Sequence, residues 1–311
     1  MKVITTTQLS KLDIKKIDIG IFSAGYEKRC THIATTIDKT AQFEVKLCLS
    51  FINQDSETKL NKKIFTQLGF DIKGGNGNDG RWVENLLIDY FKKLDILTEE
   101  ITVFIDYSSM TRVWYASILR FFYYSPLKFK NIRLIFAYSF AQFSNPPITT
   151  VRNIHVEPLD GYSSFSLPDK PTALILGLGY EPEKAYGLTE FFDAETYLFY
   201  NDASLSAKFS KAVEETNKYL LNLVPKENIY LYPIGDMIFT EKLLSNLCRA
   251  LGESNRIVIA PTGPKPFTLI SLITSLKFDD VDVWRISPGN DAKITNREAS
   301  GTVSYLQVMI G

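Results

Sequence analysis

The sequence predicts an α/β protein made of two tandem Rossmann-like, doubly wound domains, residues 1–150 and 151–311, that arose by internal duplication. Short apolar runs rich in β-branched residues alternate with helical segments, and this alternation is typical of parallel sheets with right-handed crossovers. The alternation stops near residue 140 and restarts near residue 172. The length of 311 residues also suits two domains of about 150 residues each better than one small core.

The first half is predicted to contain four strands and four helices after a short lead-in over residues 1–17. Runs of Ile, Val, Leu and Phe predict the strands, at 17–22, 43–50, 101–106 and 132–138. The helices are predicted at 30–40, 59–68, 81–94 and 113–122. The glycine-rich stretch 74–80 predicts a flexible loop.

The second half repeats this plan, and residues 141–171 are predicted to join the halves. Its predicted strands are 172–177, 195–200, 229–232, 257–260 and 281–286. Its predicted helices are 207–223, 239–251 and 267–276.

The two halves share a repeat in register. The Gly-Tyr-Glu motif at 25–27 recurs at 179–181, 154 residues later (179 − 25), and Ser109 and Gly263 are separated by the same 154 residues (263 − 109). Asn53 and Asn201 each follow a predicted strand as well. A repeat of this length indicates duplication of one α/β unit. Because ligands bind at the carboxyl ends of parallel strands, we expect these loops to meet at one edge of each domain, with the ligand in a composite cleft between the halves.

Composition excludes several classes of protein. The 35 basic and 35 acidic side chains balance, so no global positive field exists to bind extended nucleic acid. Three scattered cysteines predict a reducing compartment without structural zinc. No apolar run reaches about 18 residues, so no membrane segment is predicted. We therefore expect a cytoplasmic protein with no metal or cofactor.

The loop between the strand at 257–260 and the next helix carries the strongest functional signal. Thr262 offers a hydroxyl, Gly263 and Pro264 make the turn compact, and Lys265 supplies a positive charge. Backbone N–H groups at a helix start, together with a lysine, favour phosphate binding. The alternative is a rigid turn stiffened by proline, with Lys265 in solvent.

Its counterpart in the first half is the loop that follows the strand at 101–106. Ser108, Ser109 and Thr111 can hydrogen-bond a polar ligand, and Arg112 can pair with a phosphate or stack on a base. Asp106 can bind a ribose hydroxyl or a metal, although a single aspartate at a strand end is often structural. The alternative is that one of the serines caps the following helix.

The two Gly-Tyr-Glu loops place an aromatic and an acidic side chain after the first strand of each half. Tyr26 and Tyr180 can stack on bases, while Glu27 and Glu181 can accept hydrogen bonds from a ribose or base, or act as an acid or base in catalysis. Arg29 follows only in the first half, so the halves are not chemically equivalent. The alternative is that each glutamate simply begins its helix.

The strand, the Pro-Thr-Gly-Pro-Lys-Pro loop at 261–266 and the apolar helix together resemble the ligand loop of the CRISPR-associated Rossmann-fold sensor domains. The duplication is similar to the fused sensor modules (SAVED-like) of cyclic-oligonucleotide defence systems. The resemblance implies contacts from Thr262, Gly263 and Lys265, and less directly from Ser108, Ser109 and Thr111, to an oligonucleotide backbone. The sequence departs from that family at Pro264, where a second glycine or a threonine is usual, and no fused effector is recognised.

Three hypotheses follow for the function. The first is a sensor that binds a nucleotide or a cyclic oligonucleotide, in prokaryotic antiviral defence or signalling, with a protein partner from a defence operon. The second is an enzyme acting on a nucleotide or nucleoside derivative, with Glu27 or Glu181 as acid or base. The third is a scaffold in a multiprotein assembly.

Overall fold

The computed structural model describes residues 2–37, 39–52, 55–93, 99–124, 129–145, 155–164, 169–287 and 296–311. The chain forms two compact units. Unit 1 comprises Met1–Gln142 and Ile294–Gly311, and unit 2 comprises Phe143–Lys293. Each unit contains one largely parallel sheet with helices, which confirms the predicted α/β class with two Rossmann-like halves.

Unit 1 supplies the first six strands and the last one. The strands are β1 (Ile4–Leu9), β2 (Lys16–Ala24), β3 (Gln42–Phe51), β4 (Asp71–Gly75), β5 (Glu100–Asp106), β6 (Asn131–Ala141) and β13 (Ala299–Ile310). The helices are α1 (His32–Ile37), α2 (Ser56–Gln67), α3 (Gly80–Lys93) and α4 (Arg112–Tyr124), and a 3-10 turn (Lys28–Thr31) precedes α1.

The sheet of unit 1 has the strand order β1-β13-β6-β5-β2-β3-β4 among the described residues. Strands β2 to β6 are mutually parallel, and β13 and β1 add antiparallel strands beyond β6. Numbered along the chain, the parallel strands have the Rossmann order 3-2-1-4-5. The order reverses between β2 and β5, and this is the switch point at which such sheets bind ligands.

Unit 2 contains the remaining elements. The strands are β7 (His155–Pro158), β8 (Thr172–Gly177), β9 (Glu195–Asn201), β10 (Ile229–Tyr232), β11 (Arg256–Pro261) and β12 (Val281–Ser287). The helices are α5 (Pro182–Phe192), α6 (Ala207–Thr216), α7 (Lys218–Leu223), α8 (Met237–Gly252) and α9 (Lys265–Lys277).

The sheet of unit 2 repeats the plan of unit 1. Its order within the described chain is β10-β9-β8-β11-β12-β7, in which the parallel strands again follow 3-2-1-4-5 and β7 pairs antiparallel with β12. The switch point lies between β8 and β11, which pair in parallel from Thr172 opposite Arg256 to Gly177 opposite Pro261. The two units therefore share the topology that an internal duplication requires.

The second domain was predicted to span residues 151–311, and its predicted end at residue 311 is wrong. The chain returns to unit 1 after residue 293, because β13 pairs with both β1 and β6. Leu306, Val308 and Ile310 alternate along β13 and are at most 1% exposed, so the strand is anchored by its apolar face. The predicted lead-in is also wrong in part, since it contains β1 on the outer side of β13.

Two further sequence predictions need correction. The helix predicted over 207–223 is divided into α6 and α7 at Asn217, whose side chain bonds outside the helix, as described below. Helix α5 was not predicted; it begins with a proline at its first position, where the missing N–H costs nothing.

Aromatic side chains fill much of the core of unit 1 on the α1 and α2 side of the sheet. The ring of Phe22 stacks on Phe104, with 5.5 Å between the centroids, and meets the edge of Phe70 at 4.9 Å. Buried Phe65 packs on Phe70 at 5.1 Å. Such ring pairs contribute about 0.5–1.5 kcal/mol each beyond the area that they bury.

The part of the chain that the structure describes lacks two features. It contains no helix with both the length and the apolar character needed to cross a membrane. It also contains no group of three or more His, Cys, Asp or Glu side chains placed to hold a metal ion. Cys30, Cys48 and Cys248 are free thiols in the interior.

We predict that Leu306→Ala destabilises unit 1 specifically. Removing a fully buried leucine side chain from β13 costs about 2–5 kcal/mol, because a cavity remains in the sheet core. Hydrogen exchange followed by mass spectrometry should then show faster exchange in β6 and β2, with β8 unchanged. Faster exchange in β8 with β6 unaffected would contradict the assignment of β13 to unit 1.

Candidate functional site

In each unit, two of the predicted loops lie side by side at the switch point. In unit 1 they are the loop after β2, which carries Gly25-Tyr-Glu, and the loop after β5, which leads into α4. In unit 2 they are the loop after β8, with Gly179-Tyr-Glu, and the loop after β11, which leads into α9. The repeat therefore places corresponding loops at corresponding edges.

The two loops of each pair are in close contact, and glycine makes that contact possible. A Cβ atom at Gly25 would lie 3.1 Å from the Cβ of Ser109, and a Cβ atom at Gly179 would lie 2.7 Å from the carbonyl oxygen of Thr262. Distances this short require the neighbour to shift, so both positions favour glycine. The repeated glycines therefore serve the packing of one loop on the other.

A buried asparagine fixes each Gly-Tyr-Glu loop, from helix α2 in unit 1 and from the junction of α6 and α7 in unit 2, and sequence reasoning missed both. In unit 1 the amide nitrogen of Asn61 donates to the carbonyl of Gly25 at 2.9 Å and to that of Glu27 at 3.2 Å. In unit 2 the amide nitrogen of Asn217 donates to the carbonyl of Gly179 at 2.8 Å. Both asparagines are buried. Each satisfies a backbone carbonyl that the loop leaves without a partner in a strand or helix.

Glu27 and Arg29 form a buried ion pair in unit 1. The Nε of Arg29 donates to Oε2 of Glu27 at 2.6 Å, and the two side chains are 3% and 10% exposed. The other guanidinium nitrogens donate to the carbonyls of Ser139, at 2.5 Å, and Ser108, at 3.2 Å. The guanidinium carbon also lies 5.1 Å from the ring centroid of Tyr138. Arg29 thus ties the loops after β2 and β5 to strand β6.

Asp106 and Ser108 make internal contacts. Asp106 is 2% exposed and accepts a hydrogen bond from the backbone N–H of Ser108 at 3.0 Å. The hydroxyl of Ser108 accepts from the backbone N–H of Ser139 at 2.8 Å. These bonds hold the turn after β5 against β6, so the geometry gives both residues a structural role.

Thr111 and Arg112 mark the start of α4. The hydroxyl of Thr111 accepts from the N–H of Trp114 at 3.2 Å and donates to the carbonyl of Gly77 at 2.7 Å. Thr111 is therefore the N-cap residue, a role that the sequence had suggested for Ser108 or Ser109. Arg112 is the first helical residue, and the first turn contains no acidic side chain.

The corresponding loop of unit 2 is held by its own backbone. The hydroxyl of Thr262 donates to the carbonyl of Gly177 at 2.7 Å, and a Cβ at Gly263 would collide with the carbonyl oxygen of Leu178. Pro264 occupies the N-cap position of α9 in an extended conformation and provides no side-chain cap. Lys265 is the first residue of α9, whose first turn also lacks an acidic residue.

The Gly-Tyr-Glu loop of unit 2 lacks a buried ion pair like that of unit 1. Glu181 accepts from the ammonium group of Lys184 at 2.6 Å, but its own side chain is 41% exposed. Tyr180 is half-buried. Asn201 is 5% exposed and donates to the carbonyl of Asp202 at 3.1 Å. Its predicted counterpart, Asn53, lies outside the described residues.

A C-terminal segment, residues 296–298, joins the loop after β2 in unit 1, and no sequence signal had placed it there. The side-chain oxygen of Asn296 accepts from the N–H of Lys28 at 3.0 Å, and the carbonyl of Arg297 accepts from the N–H of Arg29 at 3.1 Å. The ammonium group of Lys28 pairs with Glu298 at 3.3 Å on the surface. The apolar alternation of β13, which follows this segment, indicates a strand but does not indicate its contact with the loop after β2.

Tyr26 lies between charges of both signs. Burial raises the pKa of the Tyr26 phenol, and the Glu27 carboxylate raises it further, whereas the positive charges of Arg297 and Arg29 lower it. The phenol therefore stays protonated at neutral pH and is available as a hydrogen-bond donor.

A shallow depression of about 500 Å³ lies on the outer face of α2. It includes none of the predicted site residues. The side chains that line it are Lys59, Lys62, Lys63, Thr66 and Gln67.

The fold and the loops together define the class of this protein: it is an α/β protein with two Rossmann-like units, each with two packed loops at its switch point.

No protein-family model matches the chain, and no curated protein matches it. One similar solved structure is entitled the crystal structure of the cytoplasmic domain of a prokaryotic cation chloride cotransporter. It is 10% identical, with 89% of this chain and 97% of that chain covered and a TM-score of 0.26. A TM-score this low supports no argument about this protein.

We predict that Glu27→Ala destabilises the protein far more than Glu181→Ala, although the two residues correspond in the repeat. Removing Glu27 leaves Arg29 buried without its carboxylate, which costs about 3–5 kcal/mol. The Glu181 side chain is 41% exposed, although its partner Lys184 is only 11% exposed, so solvent screens the pair in part and its loss costs about 1 kcal/mol. Urea unfolding followed by circular dichroism measures both. Equal losses of stability would show that the Glu27–Arg29 pair is not a buried anchor.

A second prediction concerns Gly263, which the sequence had assigned to a ligand. Gly263→Ala should destabilise unit 2 by about 1–3 kcal/mol even without ligand, because the added methyl group overlaps the carbonyl of Leu178. The control is Gly187→Ala in α5, where no atom lies within 4 Å of the new Cβ. That substitution should stabilise the helix by about 0.5–1 kcal/mol. The loop-packing role of Gly263 fails if both variants melt at the wild-type temperature.

Proposed function

We propose that this protein is a sensor that binds a nucleotide or an oligonucleotide, cyclic forms included, at the carboxyl edges of its parallel strands. One observation carries the proposal: the helix after each switch point begins with a basic residue, Arg112 in α4 and Lys265 in α9, and neither first turn contains an acid. A helix N-terminus carries a partial positive charge and exposes N–H groups. A cation added there is a site for an anion.

Two other helices, α2 and α8, follow the opposite rule, whereas α3 and α6 also lack an acidic residue in the first turn. Helix α2 has Asp55 as its cap and Glu57 in its first turn, and α8 is capped by Asp236. Negative charge at a helix N-terminus stabilises by about 0.3–1 kcal/mol, and a cation there is unfavourable by a similar amount. The chain accepts this cost at both switch points, and a local departure from good helix design is expected at functional sites.

A nucleotide suits the chemistry around these helix starts better than a simple anion does. Its phosphates would bind the N–H groups and the cation, as in other switch-point sites. Tyr26 and Tyr180, each half-buried beside a switch point, offer rings on which a base can stack. The repetition of this arrangement in both units favours a ligand with more than one phosphate. A role in prokaryotic defence, with a protein partner, rests on the family resemblance of the loop at 261–266.

The contacts of the two glutamates favour binding over catalysis. Oε2 of Glu27 accepts from Arg29, and that of Glu181 accepts from Lys184, both at 2.6 Å. A general base must reach the proton that it removes, and Glu27 is 8% exposed. The geometry therefore gives Glu27 the task of holding Arg29.

The proposal is tested by thermal shift with nucleoside mono-, di- and triphosphates, cyclic dinucleotides and cyclic oligoadenylates. A nucleotide at a hundredfold excess over its dissociation constant should stabilise the wild type by about 2.7 kcal/mol. We expect the shift to shrink in Arg112→Ala or Lys265→Ala and to vanish in the double variant. Lys277→Ala, at the opposite end of α9, is the control and should keep the shift.

The absence of a shift with every compound, in a protein with a cooperative melting transition, would refute nucleotide binding and favour the scaffold hypothesis. Conversion of a nucleotide during incubation, detected by chromatography, would favour the enzyme.

A further inference from the structure

Three buried polar atoms at the carboxyl edge of unit 1 have no hydrogen-bond partner within the described residues: the hydroxyls of Ser23 and Ser109 and Nε of Arg297. Ser23 is the penultimate residue of β2 and is 2% exposed. Buried polar groups are nearly always satisfied, so a group of exceptions at one edge needs an explanation.

The corresponding edge of unit 2 is chemically different. The residues 154 positions after Ser23 and Ser109 are Gly177 and Gly263, so two hydroxyls are missing. The space beside each glycine is occupied: the ring of Phe267 lies against Gly177, and the carbonyl of Leu178 lies against Gly263. At the two positions where unit 1 has a serine hydroxyl without a partner, unit 2 therefore has a glycine with other atoms of unit 2 packed against it.

Arg297 adds a cation to the edge of unit 1. Its backbone is fixed there, since its carbonyl accepts from the N–H of Arg29 at 3.1 Å. Its positive charge lowers the pKa of the Tyr26 phenol, against the larger effect of burial, which raises it. Unlike Arg29, which is bound to Glu27 and to two carbonyls, Arg297 has a buried Nε with no acceptor among the described residues.

We propose that the carboxyl edge of unit 1 is the stronger phosphate site of the two units, and that Arg297 contacts the phosphate bound there. This inference rests on the proposed function. It adds that the phosphate of the ligand binds most strongly in unit 1 and that Arg297 is the cation in contact with it. Phosphate oxygens only accept hydrogen bonds, and hydroxyls and a guanidinium supply the donors that they need. A planar guanidinium pairs with two phosphate oxygens at once, which a lysine does not do.

The experiment is isothermal titration of the full chain with sodium pyrophosphate and, separately, with ATP. Arg297→Gln should weaken pyrophosphate binding by about tenfold or more, as expected when a hydrogen bond between charged groups is lost. Arg297→Lys should recover only part of the affinity. Ser109→Gly, which copies the residue found in unit 2, should weaken binding several-fold.

Two variants are the controls. Arg133→Gln removes another unit 1 arginine whose buried Nε has no partner among the residues that the structure describes, but at the amino end of β6, where no phosphate is expected. Lys265→Ala removes the cation of unit 2. Arg133→Gln should bind pyrophosphate as the wild type does, and Lys265→Ala should lose less affinity than Arg297→Gln does. Hydrogen exchange of β13 and β6 shows whether each variant is folded. If Arg297→Gln does not fold, the binding of Arg297→Lys and Ser109→Gly decides the test.

The outcomes separate this inference from the proposed function. Pyrophosphate affinity that survives Arg297→Gln but is lost in Lys265→Ala overturns the inference and moves the phosphate to unit 2, with nucleotide binding intact. A wild type that does not bind millimolar pyrophosphate also overturns it, whatever the nucleotide panel shows. Binding of pyrophosphate through Arg297, without binding of any nucleotide, supports the phosphate site and refutes the nucleotide.

Discussion

The close contact between two loops at each switch point is the constraint on which the candidate site depends. Strands β2 and β5, and likewise β8 and β11, are neighbours in their sheets, so the loops that follow them must pass each other within van der Waals distance. A side chain at Gly179 would collide with the carbonyl oxygen of Thr262, and one at Gly25 would force Ser109 to shift. The amides of Asn61 and Asn217 then bond the carbonyls of those glycines, so each loop is fixed from outside its own strand.

The elements that could be predicted from the sequence are those that consist of a local, continuous run of apolar residues. Strands β2, β5, β8 and β11 are of this kind, and the repeat identified the loops that follow them. Two features escaped because their signals are not local. Strand β13 has partners some 160 or more residues away along the chain, and only its alternation of apolar residues marks it. The two asparagines are 156 residues apart (217 − 61), outside the register of 154 set by the loops.

The same limit applies to individual site residues. Next to a helix start, a hydroxyl or carboxylate bonds either a ligand or the backbone of its own loop, and composition does not distinguish the two. In the structure, Asp106, Ser108, Thr111 and Thr262 bond their own chain. Gly263, chosen for close approach to a ligand, makes its close approach to Leu178. These residues are of the types found in binding sites, but in this structure they hold the loops of the candidate site in place.

The duplicated framework is preserved more closely than the chemistry built on it. Both units keep the strand order, the glycine contact and the asparagine bond, and these are the features needed to fold the edge of the sheet. Unit 1 adds a buried arginine that joins three segments, and a buried ion pair demands that every partner stay in place. In unit 2 the corresponding Glu181 pairs with Lys184 and is itself 41% exposed, so its position is less strongly fixed than that of Glu27. A rigid edge holds donors in position before a ligand arrives, which lowers the entropic cost of binding. The buried pair of Glu27 and Arg29 therefore makes unit 1 the better pre-organised half, although neither residue needs to contact the ligand.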